Sequence, residues 1–270
     1  SGSSIAERQQ TLGFWAYQFQ MIPTETISGI YEDFLKAEDD KEKHKNGAFY
    51  TPRLLAEMTL DVLLEQETGK LLDKRFLDPS CGSGIFLVLL FNRLAAEWTF
   101  KHPEAAKDYK AKAEALRGIF QNNIRGIDIN PTACRIACFS LYLAYLDQFD
   151  PRSIIHHAKT VGKFLPNIIV AKKKAQPAGQ RKLIPVITEA DFLKSEDSLG
   201  NEFDFIIGNP PWAQRGNSLE QQFMLAAPAR LKANAQAGLL LPSKVFFNGK
   251  TNDFQKRWLE KSGIEKVVLL

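Results

Sequence analysis

Asn209-Pro210-Pro211-Trp212 is the stretch of this chain whose residue types point most directly to chemistry. It follows an apolar run, Phe203-Asp204-Phe205-Ile206-Ile207-Gly208, that reads as a buried strand. Two consecutive prolines end a strand, stiffen the loop and leave carbonyls with no competing N–H beside them. Asn209 adds a side-chain acceptor and Trp212 a flat surface for stacking. The set suits a planar acceptor that carries an –NH2 group.

Three further constellations accompany it. Asp78-Pro79-Ser80-Cys81-Gly82-Ser83-Gly84 is a glycine turn between a strand and a helix, where the backbone can bend sharply and approach a ligand. A dinucleotide fingerprint would place a third glycine at position 87, which is Leu87. By itself the turn has an equally good structural explanation. Gly126-Ile127-Asp128-Ile129-Asn130 puts an acid at the end of the next strand, where it can accept hydrogen bonds from both ribose hydroxyls. Glu189-Ala190-Asp191-Phe192 follows the third expected strand. There an acid could take the exocyclic amine of a purine and Phe192 could offer an apolar face or a backbone donor, although an ordinary turn is the plainer account.

The elements that must position these groups follow from periodicity. Ile27, Ile30, Tyr31, Phe34 and Leu35 share one helical face, as do Leu55, Met58, Val62 and Leu63. Thr51-Pro52 has the form of a helix start, with Thr51 as the cap. From Arg75 the pattern changes to alternating strand and helix. The expected strands are 76–78, 124–128, 184–188, 203–207 and 238–241, with another beginning at 264–270. An apolar helix is expected from about Ile85 to Trp98, and a charged, Ala-rich helical excursion on the surface over 101–117. Asn130-Pro131 caps a helix carrying Ala133, Ile136, Ala137, Leu141 and Leu143. The expected organisation is an N-terminal helical segment over 1–72 and a core over 73–270. That core is α/β, a doubly wound, mostly parallel sheet whose ligands bind beyond the carboxyl ends of the strands.

Composition narrows the class. The chain has 270 residues, 44% of them apolar, with 35 Lys+Arg against 31 Asp+Glu for a net charge of +4. These values exclude a largely disordered or fibrous chain. Three Cys do not make a disulfide framework and indicate a reducing compartment, the cytoplasm. The longest apolar run, Ile85–Phe91, is far too short to span a membrane, and no signal peptide is visible. Cys134 and Cys138 lie four apart with no second Cys/His pair at ligand spacing, and His156-His157 would point apart, so no metal site is expected. The segment 172–182 carries five positive charges and no acid, and reads as a surface loop, either plainly solvated or in contact with a phosphate backbone.

Together these residues resemble the S-adenosylmethionine-dependent DNA adenine-N6 methyltransferases. That family combines a Gly-x-Gly turn, a strand-end acid, a later acid and an Asn-Pro-Pro-aromatic tetrad in a Rossmann-like, class I methyltransferase sheet. Asn46-Gly47-Ala48-Phe49-Tyr50-Thr51-Pro52 is similar to the family's cofactor segment, and the motif order resembles the gamma-type arrangement of type I modification subunits and fused restriction–modification enzymes. The resemblance covers about residues 46–270. It implies that Tyr50, Thr51, Asp78 and the backbone of Cys81, Gly82 and Gly84 hold the methionine part of S-adenosyl-L-methionine. Asp128 would bind the ribose, Ile129 would pack on the cofactor adenine, and Asp191 and Phe192 would address that adenine's edge. Asn209, Pro210, Pro211 and Trp212 would form the catalytic tetrad for N6 methylation of a flipped adenine. Implied partners are DNA, met through a target-recognition region outside this chain, and restriction or specificity subunits, in a prokaryotic cytoplasm. The apolar strand at 264–270 is expected to mark a catalytic-domain fragment truncated at its C-terminus, and the Met-less start Ser1-Gly2-Ser3-Ser4 is not expected to be the natural one. Rival readings are a protein-glutamine or RNA-base methyltransferase and, from another class, a non-catalytic cofactor- or DNA-binding subunit.

Overall fold

The computed structural model describes residues 51–150, 154, 166–168, 170–172, 185–194, 202–212, 218–247 and 252–268. The helical face at 27–35, Tyr50 and the rest of 46–50, His156-His157, and the basic segment from 173 to 182 lie outside them.

Asp78 and Asn209 owe their proximity to the sheet. Its strands are β1 (Phe76–Asp78), β2 (Ile124–Asp128), β3 (Val170–Lys172), β4 (Ile187–Glu189), β5 (Phe203–Gly208) and β6 (Leu231–Leu239). They lie in the order β3-β4-β2-β1-β5-β6. Every pairing is parallel, with Leu77 opposite Ile206, Asp78 opposite Gly126 and Asp128 opposite Glu189. The expected doubly wound, parallel α/β sheet is therefore present. From β1 the chain passes through β2 to β3 at one edge and returns with β4 between β3 and β2. It then crosses to β5 and β6 on the other side, so the winding reverses between β1 and β5. Loops leave such a reversal in opposite directions and open a crevice beyond the strand ends.

Helices cover both faces, as a parallel sheet requires. The helices α1 (Arg53–Leu63), α2 (Ile85–Lys101), α3 (Tyr109–Asn122) and α4 (Pro131–Leu146) contribute to the larger core, with Leu60, Leu87, Phe91, Leu116, Phe120 and Tyr145 buried among Phe76, Phe205 and Ile207. Leu77, Ile127 and Ile206 point the other way, into a second cluster with Phe223 and Ala227 of the segment that holds α5 (Leu219–Ala226). The alternation of Phe205, Ile206 and Ile207 between the two clusters is the period-two signature of a strand. Each such side chain contributes about 1.5–3 kcal/mol by leaving water.

The structure corrects several boundaries. Residues 109–122 are not a surface excursion: α3 buries Ala113, Leu116, Ile119 and Phe120, and Phe120 stacks on Phe91 at 4.4 Å. The charges in α3 occupy its outer side, and they dominate the composition of the stretch. The last strand begins at Leu231, well before 238, because a register shift opposite Phe203–Phe205, with Asn234 at φ 60°, breaks the alternation there. Lys172 belongs to β3, so the basic loop does not begin there. The expected strand at 264–270 is not formed by its described residues, which are irregular and leave Ile264, Val267 and Val268 exposed. Thr51 does not cap α1: the capping position is Pro52, and no side chain makes the cap bond.

Candidate active site

At the switch point, Thr51, Asp78, Ser80, Cys81, Gly82, Ser83, Ile85, Phe86 and Asn209 line one small cavity of about 40 Å³. Three of the expected motifs thus converge: Thr51 ahead of Pro52 and α1, the turn after β1 and the loop after β5. Asp128, at the end of β2, adjoins the turn through its carboxylate.

Asp78 is 1% exposed. Burial pushes its carboxyl up to about 8, against the pull of the Ser80 N–H, and the neighbouring Asp128 charge adds to the rise. Ser80 N donates to its Oδ1 at 3.1 Å. Gly208 lies close, and a Cβ there would stand 2.8 Å from the same oxygen. A side chain at position 208 would displace the carboxyl, which explains the glycine that ends β5.

The turn after β1 is largely satisfied by its own fold. Cys81 N donates to Ile127 O at 2.8 Å, Gly84 N to Cys81 O at 2.8 Å, and Gly82 N to Asp128 Oδ2 at 2.8 Å. The backbone donors assigned to a ligand from the sequence are thus engaged within the protein. The two glycines also differ. Both have positive φ, 51° at Gly82 and 90° at Gly84, but a Cβ on Gly84 would meet Ala137 Cβ at 3.1 Å, whereas one on Gly82 would meet nothing within 4 Å. Gly84 serves the close packing of α2 on α4, and Gly82 presents an open side. Val88 N makes the first bond of α2, to Gly84 O, so Ile85, Phe86 and Leu87 open the helix ahead of that bond. Burial and the charges of Asp128 and Asp78 push the Cys81 thiol well up, which keeps it protonated and fits a packing role.

Asp128 is similarly occupied. Its Oδ2 accepts from Gly82 N and its Oδ1 from Asn130 N, both at 2.8 Å, while Asn130 caps α4. Burial raises its pKa against those backbone bonds. Each oxygen keeps a second lone pair. Ile129 beside it is 70% exposed, an apolar side chain outside the core. Asp191 Oδ1 accepts from Leu193 N at 3.0 Å and its Oδ2 pairs with Lys194. The Phe192 side chain is 3% exposed and stacks on Phe223 at 5.3 Å, so it offers no apolar face to a ligand.

The loop after β5 is built differently. Asn209 Nδ2 donates to Thr51 Oγ1 at 3.1 Å, and its backbone carbonyl accepts from Ser80 Oγ at 3.3 Å. Its Oδ1 is buried and has no hydrogen-bond partner among the described residues. Pro210 is buried, and Pro211 and Trp212 are half-buried. An amide oxygen held in this way, at the switch point of a parallel sheet, is a preset acceptor for an N–H donor.

The family model for N-6 DNA methylase matches residues 23–270. The chain belongs to the N-6 DNA methylase family. Two curated relatives are the type II restriction enzyme and methyltransferase RM.Eco57I of Escherichia coli, 26% identical over 73% of this chain and 22% of its own, and the type II methyltransferase M.VspI of Vibrio sp., 26% identical over 83% and 43%. The chain therefore spans less than half the length of either. Two solved structures share the fold: the DrdV–DNA complex, with a TM-score of 0.58 at 17% identity over 88% of this chain and 24% of that one, and a modification subunit of a type I restriction enzyme from Vibrio vulnificus, with a TM-score of 0.52 at 16% identity over 96% and 44%.

Membership in this family implies use of S-adenosylmethionine. Sequence reading missed Ser80, Ser83, Ile85, Phe86 and Gly208, which line or shape the site. A serine between the proline and cysteine of a turn carries no signal in its spacing; only the fold brings Ser80 to Asn209. Among the described residues no group of three or more His, Cys, Asp or Glu could hold a metal ion, and no helix is long and apolar enough to cross a membrane.

Proposed function

We propose that the protein transfers a methyl group from S-adenosylmethionine to the N6 amino group of an adenine in DNA, in a restriction–modification system. The buried, unpartnered Oδ1 of Asn209 carries this reading. The lone pair of an aromatic amine is delocalised into its ring, so the amine is a poor nucleophile. Asn209 Oδ1 would accept one N–H and the Pro210 carbonyl the other, favouring a pyramidal nitrogen with its lone pair directed at the methyl. Positioning and fixed dipoles would supply most of the acceleration. The target base must leave the duplex, and Trp212 would stack on it. The cofactor supplies an electrophilic methyl on a sulfonium, which needs no protein nucleophile.

The residues present suit that cofactor. Asp78 would face its ammonium group, with Thr51, Gly82 and, outside the described residues, Tyr50 close to its methionine part. Asp128 would use its remaining lone pairs on the ribose hydroxyls, with Ile129 against the cofactor adenine and Asp191 and the Phe192 backbone at that adenine's edge. Cys81 and Gly84 would shape the turn more than donate to the ligand, since their N–H groups are engaged. Choice of DNA sequence would belong to a target-recognition region outside these 270 residues, working with restriction or specificity partners.

The test is incubation of the full-length protein with methyl-labelled cofactor and DNA, RNA or protein acceptors, followed by nucleoside and amino-acid analysis. Label in N6-methyladenine of DNA is the expected result. Label confined to RNA or to glutamine would contradict it.

A further inference from the structure

Thr51 precedes Pro52, the capping position of α1, and no side chain makes a cap bond to that helix. The Thr51 hydroxyl is instead joined to Asn209, across 158 residues of chain, at 3.1 Å. Thr51 is 8% exposed, so that contact is shielded from competing water. An amide can turn over in its socket, exchanging oxygen for nitrogen, and only its hydrogen-bond partners decide the orientation. With Thr51 Oγ1 accepting from Nδ2, the oxygen of Asn209 is the end left without a partner. Ser80 holds the same residue by its backbone carbonyl and leaves the side-chain orientation to Thr51.

We infer that Thr51 is a positioning residue for methyl transfer: its hydroxyl orients the Asn209 amide so that Oδ1 faces the acceptor amine. This rests on the function proposed above. It separates two tasks at one position, because a residue that only held the cofactor would matter through cofactor affinity alone. The hydroxyl can accept from Asn209 and still donate its own proton elsewhere. Without it, Nδ2 would lose its anchor, and the amide would no longer be held with Oδ1 toward the amine.

Single-turnover transfer to DNA, at saturating S-adenosylmethionine, separates the possibilities in the full-length protein. Thr51→Val keeps the shape and removes the hydroxyl; it should slow transfer about 10–100-fold, the scale of a misplaced group at a reacting centre. Thr51→Ser, which restores the hydroxyl, should recover most of the rate. In an Asn209→Ala background, Thr51→Val should add no further loss. A full rate for Thr51→Val once the cofactor is saturating would overturn the inference, and so would a loss of equal size in both backgrounds. If Asn209→Ala itself transfers at the unaltered rate, the proposed role of Asn209 falls, and that of Thr51 falls with it.

Discussion

The two loops that meet at the switch point are prepared in opposite ways. The side proposed for the cofactor, the turn after β1 with the end of β2, is closed on itself: Cys81, Gly82 and Gly84 donate within the protein and Asp128 accepts from two backbone N–H groups. The side proposed for the acceptor, after β5, is anchored at two atoms of Asn209 and leaves a third, Oδ1, buried without a partner among the described residues. A buried polar atom without a partner costs about 1–3 kcal/mol. On the proposed function, the fold builds rigidity where the cofactor would be held and keeps an unmet acceptor where the amine would be taken. Strain of this kind, tolerated because the surroundings enforce it, is characteristic of sites that act.

That contrast can be broken at either side. The largest effect should come from the rigid side. Gly84→Ala forces a side chain into a left-handed backbone position and against Ala137, and should cost about 2–5 kcal/mol in denaturant unfolding. A loss below about 1 kcal/mol would show that the turn yields. On the acceptor side, Trp212→Ala should leave unfolding midpoints nearly unchanged. It should weaken retention of an extruded base by about 1–3 kcal/mol, read from fluorescence of 2-aminopurine at the target position.

Asp78→Asn tests the electrostatics between the two. The folded carboxyl is raised to about 8 from an ordinary 3.8, so the folded state binds this proton more tightly than the unfolded chain does. Its contribution is fully present below about pH 4 and is lost as the pH rises toward 8. The unaltered protein should therefore lose stability relative to Asp78→Asn between pH 5 and 9, in melts recorded without cofactor. Parallel curves would show that the carboxyl is not held this way. Gly82→Ala should have the smallest effect, about 1–2 kcal/mol of backbone strain with no clash, together with a weaker calorimetric response to cofactor, since the open side of Gly82 is where the ligand would lie.

Much of this arrangement was legible in the residues. The parallel α/β sheet follows from short apolar runs alternating with helical periods, and the four motifs were found at strand ends because punctuation by Pro, Gly and Asn is a local signal. What the sequence hid was non-local. The tie of Thr51 to Asn209 joins residues 158 positions apart in the chain, and capping chemistry pointed Thr51 elsewhere. Phe192 looked like a ligand face because it follows an acid, yet Phe223, far along the chain, claims it for the core. The donors of the glycine turn looked available because nothing in the turn itself reveals that Ile127 and Asp128 take them. The surplus of charge over 101–117 masked the buried face of α3, whose Leu116 and Phe120 keep helical spacing.

Asn209→Ala bears most directly on the central claim, with single-turnover methyl transfer to DNA measured beside calorimetric binding of S-adenosylmethionine in the full-length protein. Removal of a preset acceptor should lower transfer about 10²–10³-fold and leave cofactor affinity within about twofold. Transfer at the unaltered rate, or a loss of transfer matched by an equal loss of cofactor binding, would contradict the assignment of the unmet Asn209 oxygen to the acceptor amine.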